Sequence, residues 1–106
     1  MSEPTTFYEV LKELKIPCAY SHFKDKDSPT KPPYIVYVGN GQDTFGADNT
    51  WEYRNNRYQA DYYFTEKNEA LETEIEDNFL KYGYNYSKSE DIYIEDEDVF
   101  VIYYYL

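Results

Sequence analysis

Residues 91–106 read DIYIEDEDVFVIYYYL. Two uncharged runs flank four consecutive acids, Glu95, Asp96, Glu97 and Asp98. This is the pattern of a β-hairpin with a charged tip. In the second run Val99, Val101, Tyr103 and Tyr105 face one way, and Phe100, Ile102, Tyr104 and Leu106 face the other. A strand apolar on both sides must be covered on both sides. The fold is therefore organised around a sheet, with this strand inside it. The acids ahead of the strand keep so sticky a segment soluble during folding, as charged gatekeepers do.

Working outward, residues 66–82 carry a helical stripe of Leu71, Ile75, Phe79 and Tyr82, with Thr65 as the expected N-cap. Glu69, Glu72, Glu76 and Lys81 are expected to face water. Gly83 stands where a left-handed C-cap glycine belongs, and Tyr84 can fold back on Phe79. RYQADYYF (57–64) alternates. Tyr58, Ala60, Tyr62 and Phe64 share one face, and Arg57, Gln59 and Asp61 share the other. WEYR, just before it, either pairs with it or leads into it. YIVYV (34–38) is apolar on both faces and reads as a central strand. GNGQDTFGADNT (39–50) and KDKDSPTKPP (24–33) read as loops, and PCAYSHF (17–23) as a short strand. A first helix starts at Thr6, where Thr6 and Glu9 fit a capping box. It buries Phe7, Val10, Leu11 and Leu14, and it stops before Pro17. The order is α-β-β-β-α-β-β: an α+β single domain over residues 1–106, with two helices on one face of a mainly antiparallel sheet.

Composition sets the function classes. Leu, Ile, Val and Phe number only 22 of 106 residues and the formal net charge is −11, close to a disordered composition. Fifteen Tyr argue for a folded chain in which Tyr replaces much of the usual Leu. The acidic balance argues against direct nucleic-acid binding, which needs clustered Lys and Arg. The N-terminus is too polar for a signal peptide, and no apolar run reaches membrane-spanning length. Lone Cys18 excludes an internal disulfide.

Catalytic and metal patterns fail in turn. On a strand, Cys18 and His22 would stand roughly 13 Å apart, too far for a nucleophile and its base. A calcium loop opening at Asp25 needs Gly at its sixth position and Glu at its twelfth, but these are Thr30 and Val36. GNGQDTFG lacks the lysine and the context of a phosphate loop. No enzyme, cofactor or metal is expected. Two helices cover one face of a sheet, so the other face calls for a partner. Phe100, Ile102, Tyr104 and Leu106 are taken as the candidate subunit or partner interface.

LKIPCAYSHFKDKDSPTKPPYIVY (14–37), FGADNTWEYRNNRYQADYYFTEKNEALETEIEDNF (45–79) and YNYSKSEDIYIEDEDVFVIYYYL (84–106) together resemble a family of small proteins of tailed phages and prophages of Gram-positive bacteria. The motifs that carry the resemblance are Pro17, Ala19, Tyr20 and Phe23; residues 33–37; Phe45, Ala47, Asp48 and Asn49; and the tyrosine-rich residues 58–65. The stretch Asp61, Tyr62, Tyr63, Phe64 departs from the family's more Ile/Leu-rich pattern. The resemblance implies a tail terminator or tail-completion subunit, which forms a ring, typically hexameric, that caps the tail tube and supports head-tail joining. Its partners would be copies of itself and the major tail protein or a head-connector protein. It would act in the virion neck, assembled in the host cytoplasm. Glu95, Asp96, Glu97 and Asp98 become a candidate acidic tip facing the ring lumen or a partner. The alternatives are a head-side connector or minor capsid protein, and an acidic DNA mimic that inhibits a host DNA-binding protein.

Overall fold

A computed structural model describes residues 6–22, 31–45 and 53–106. The fold is α+β, with two helices and a six-stranded, mainly antiparallel sheet. The elements are α1 (Phe7–Lys12), β1 (Cys18–Tyr20), β2 (Tyr34–Phe45), β3 (Tyr53–Phe64), α2 (Glu69–Lys81), β4 (Ser87–Lys88), β5 (Ile92–Ile94) and β6 (Val99–Tyr105). In the sheet, β1, β2, β3 and β6 are neighbours in that order, and β4 and β5 share the far side of β6. Only the β1–β2 pair is parallel. Phe23, Ala47, Asp48 and Asn49 of the resemblance, Trp51 and Glu52, and residues 25–30 of the loop opening at Asp25 lie outside the described residues.

β6 occupies the interior, as its two apolar faces require. It pairs with β3 through six registered residues, from Gln59↔Tyr105 to Phe64↔Phe100. On its other edge β5 holds its first half and β4 its second. β4 is a strand additional to the expected order. Two polar residues carry no periodic signal, and their strand character comes from pairing with Tyr104 and Tyr105.

α1 opens at Thr6, whose hydroxyl accepts from the Glu9 N–H at 3.2 Å. α2 begins later than expected. Asn68, not Thr65, caps it by accepting from the Leu71 N–H at 3.0 Å. Its C-terminus is a Schellman closure: Tyr84 N–H donates to Phe79 O (2.9 Å) and Gly83 N–H to Leu80 O (3.1 Å), with Gly83 at φ +84°. Both helices lie on one sheet face and are joined to each other. Asn78 donates to Val10 O at 2.8 Å, and the Tyr82 hydroxyl donates to Glu13.

The core between helices and sheet is an aromatic stack. Phe7 lies flat on Tyr58, with ring centroids 4.4 Å apart, and Phe79 meets Tyr104 edge-on at 5.4 Å. Ile35, Ala60, Tyr62, Phe64, Ile102, Tyr104 and Leu106 supply the sheet side of this core. Each fully buried large side chain contributes about 1.5–3 kcal/mol.

The 39–50 segment is not wholly a loop. β2 and β3 continue pairing as far as Phe45↔Tyr53. The pairing steps from Gly39↔Tyr58 to Gln42↔Asn56, so β2 holds one extra residue, and Gly41 at φ +87° absorbs it. A β-bulge hides the period-two signal, which is why this stretch reads as turn in the sequence. Asn55 and Asn56 lie within β3, so residues 53–56 form the first part of one continuous strand and not a separate strand paired with it.

Gly83→Ala tests the cap. A Cβ there meets no heavy atom within 4 Å, so the cost is the left-handed backbone alone. A loss of about 1 kcal/mol is expected, and a smaller one for Gly83→Asn. Urea denaturation measures both.

Candidate functional site: the helix-free face of the sheet

The even-numbered face of β6 is not the open one. Ile102 and Tyr104 are fully buried and Leu106 is 6% exposed, all beneath the helices, and half-buried Phe100 packs beside Phe64. The expectation of an interface at Phe100, Ile102, Tyr104 and Leu106 is thereby corrected: Ile102, Tyr104 and Leu106 belong to the chain's own core, and half-buried Phe100 packs against it. Alternation alone defines two faces of β6 but cannot say which one the helices choose. That depends on the faces of β2 and β3 that share the core.

The face left without helices is built from the partners of the core residues. β2 supplies Tyr34, Val36 and Val38, and β3 supplies Gln59, Asp61 and Tyr63. β6 and β5 add Val99, Val101, Tyr103, Ile92 and Ile94. Val101 is fully buried among its neighbours, and Tyr34, Val36, Val38, Tyr63 and Tyr103 are half-buried. Tyr34 stacks on Tyr63 with centroids 5.0 Å apart. Burial pushes the Tyr63 hydroxyl up to about 12, so it stays neutral. Burial also raises the Asp61 carboxyl, although the Gln59 amide donates to it at 2.9 Å. The apolar reading of both faces of 34–38 was the sequence signal for this surface. On β3, the polar residues Gln59 and Asp61 concealed it.

The acidic tip is a four-residue turn, and Glu95, Asp96, Glu97 and Asp98 are all exposed. Asp98 adopts φ +54° and accepts from the Tyr93 hydroxyl at 2.6 Å. Glu97 reaches over the helix-free face, lining a shallow groove with Tyr34, Val36, Asp61 and Tyr63. The groove's rim carries Ser21 and His22, whose ring nitrogen lies 3.3 Å from the Ser21 hydroxyl. Cys18 is half-buried in β1, and burial raises its thiol.

A second polar cluster sits behind the core. Glu72 and Glu76 do not face water as expected. Glu72 is only 3% exposed and Glu76 half-buried. Lys88 of β4 reaches Glu72 at 2.9 Å and Glu76 at 2.7 Å, and Lys67 stands 2.8 Å from Glu72. The Tyr104 hydroxyl donates to Glu76 at 2.7 Å. The Tyr62 hydroxyl nearby is buried with no hydrogen-bond partner among the described residues, and burial lifts it to about 12. Burial would raise the Glu76 carboxyl, but Lys88, Tyr104 and Tyr86 outweigh it and hold it below the usual glutamate range. The cluster fastens α2 to β4 and β6. Among the described residues no three metal-ligating side chains come together, and no helix is long and apolar enough to cross a membrane.

Compared with protein-family models, curated proteins and solved structures, the chain gives no match.

Two outcomes follow from the cluster. Tyr104→Phe keeps the ring and loses the bond to a charged acceptor, at a cost of about 1.5–3 kcal/mol. Tyr104→Asp puts an unmatched charge beside Glu76 in the core and abolishes the near-ultraviolet circular dichroism of the folded chain. The lowered Glu76 value means that the folded state holds the carboxylate more readily than the unfolded chain. Its stabilisation is present above the ordinary glutamate range and is lost as pH falls through the folded value. Urea unfolding from pH 7 to pH 3 should show this loss, and Glu76→Gln should remove part of the slope.

Proposed function

We propose that this protein is a structural subunit of a tailed phage or prophage virion, a tail terminator or tail-completion protein. It forms a ring that caps the tail tube and supports head-tail joining, a structural role that asks for no catalytic or cofactor site. Its partners are copies of itself and the major tail protein or a head-connector protein, in the neck of the virion. The observation that supports an assembling subunit is the helix-free face, where valine and tyrosine side chains of β2, β3 and β6 adjoin the two isoleucines of β5. Contiguous apolar surface of this kind marks interaction sites. The resemblance of the motifs at Pro17 to Tyr20, 33–37 and 58–65 supplies the kind of assembly. The exposed acidic turn suits a ring whose lumen passes DNA without gripping it, because like charge repels phosphate.

Val36→Glu tests this reading, since residue 36 lies on the open face and outside the core cluster. The variant should fold, with unchanged circular dichroism, and should fail to assemble in light scattering alone or with the major tail protein. Phage carrying it should show overlong tails by electron microscopy. A wild-type chain that stays monomeric in both conditions would sink the ring. Changing Glu95, Asp96, Glu97 and Asp98 to their amides should leave the fold intact and slow DNA release. Normal release would remove the lumenal role of the tip.

A further inference from the structure

A carboxylate stands in the middle of the helix-free face. Asp61 lies opposite Val36 on β2 and Tyr103 on β6, with Tyr63 next along β3 on the same side. It is half-buried, and it accepts from the Gln59 amide at 2.9 Å. Among the described residues no Lys, Arg or His side chain pairs with it, and burial disfavours its charged form. A second carboxylate, exposed Glu97, borders the same groove. Arg57 shares this side of β3 but stands four residues away, roughly 13 Å along the strand. It lines a separate hollow with Tyr84, Tyr86 and Ser87. His22 stands at the groove rim beside the Ser21 hydroxyl.

Apolar surface alone cannot cover this face well. A protein docking on it removes the remaining water from Asp61, and a carboxylate buried without a partner is costly. What covers the face must therefore bring positive charge to that point. The walls of the groove suit a cation too. Tyr63, stacked with Tyr34, lies beside both carboxylates. A guanidinium can bond carboxylates in its plane while it lies on an aromatic ring. A second copy of this chain is poorly matched, because general repulsion between chains of net charge −11 opposes it. The complementary surface is that of a different, basic protein.

We propose that the groove at Val36, Asp61, Tyr63 and Glu97 receives an arginine-bearing segment of a basic partner protein, whose guanidinium pairs with Asp61 and Glu97. This rests on the reading of the helix-free face as an interface and names the chemistry of what it meets. Asp61 then costs the free chain stability and returns it in the complex.

Amide NMR shifts of the whole chain read the contact directly. The probe is acetyl-Gly-Arg-Gly amide. The control is the same peptide with citrulline, which keeps the shape and loses the charge. The arginine peptide should give saturable shifts at Val36, Asp61, Tyr63 and Tyr103, and the citrulline peptide should give none. Asp61→Asn leaves an oxygen for Gln59 and removes the charge. It should fold and resist urea at pH 7 at least as well as the wild type, since burial disfavours the native carboxylate, and it should lose the arginine shifts. Glu97→Gln, in the exposed turn, should reduce them, and added salt should do the same. Equal shifts from both peptides, shifts that survive Asp61→Asn, or shifts confined to the glutamates of α2 overturn the proposal. So does a chain that responds only after Lys24→Ala with Lys26→Ala, because its own lysines then fill the groove. Self-association of the isolated chain that is lost in Asp61→Asn also overturns it, since the cation then comes from a second copy. If the arginine shifts fail while Val36→Glu still blocks assembly, the interface reading stands and only its charge chemistry falls. If they hold while the chain stays monomeric alone and with tail protein, the groove stands and the ring falls.

Discussion

β6 must hide both of its faces, and the two are hidden by different means. Ile102, Tyr104 and Leu106 go under the helices. Val99 and Val101 lie on the opposite side and are buried there too, with Tyr63 of β3 and Ile92 and Ile94 of β5 as their registered neighbours. Three strands converge on β6 to achieve this. The positions of β4, of α2 and of the acidic turn follow from it. The turn joins β5 to β6, and β4 carries the lysine that secures α2.

That lysine shows how an acidic chain with few aliphatic residues holds a helix in place. Lys88 answers Glu72 and Glu76 together, while Tyr104 satisfies Glu76 from the core side. A buried carboxylate is expensive unless paired and hydrogen-bonded. Here the pairing comes from three elements, so the cluster also sets the register of helix on sheet. Tyrosine is suited to this role. Its ring fills core volume, as at Tyr104 and Tyr62, and its hydroxyl can serve a carboxylate at the edge of the apolar layer. The same residue type covers the helix-free face, where half-buried Tyr34, Tyr63 and Tyr103 combine apolar rings with polar hydroxyls.

The resulting subunit is directional. One end bears the acidic turn, which starts β6, and the other bears the ribbon of β2 and β3, beyond the point where β6 stops. The layers are just as unequal, with both helices and most of the polar network on one side. A partner approaching the helix-free face meets valine, tyrosine and a partly desolvated aspartate. A partner approaching the helices meets solvated glutamates.

Much of this was legible in the sequence. The terminal hairpin, the alternation of 58–64, the stripe Leu71, Ile75, Phe79 and the cap at Gly83 are local patterns, set by side-chain period and backbone preference, and each was found in place. Asn68 could have been read as the N-cap, but Thr65 offered the same chemistry three residues earlier, and only the path from β3 into α2 chose between them. The bulge at Gly41 broke the period of β2 and hid half its length. Glu72 and Glu76 looked solvent-facing because their partner, Lys88, is distant in sequence and lies on a strand that exists only through its pairing. The sequence by itself determined that β6 has two apolar faces and that two helices cannot cover both. Which face stayed open was decided only in the tertiary structure. The choice depends on how the register of β3 on β6 aligns Ala60, Tyr62 and Phe64 with Ile102 and Tyr104, and no single strand contains that information.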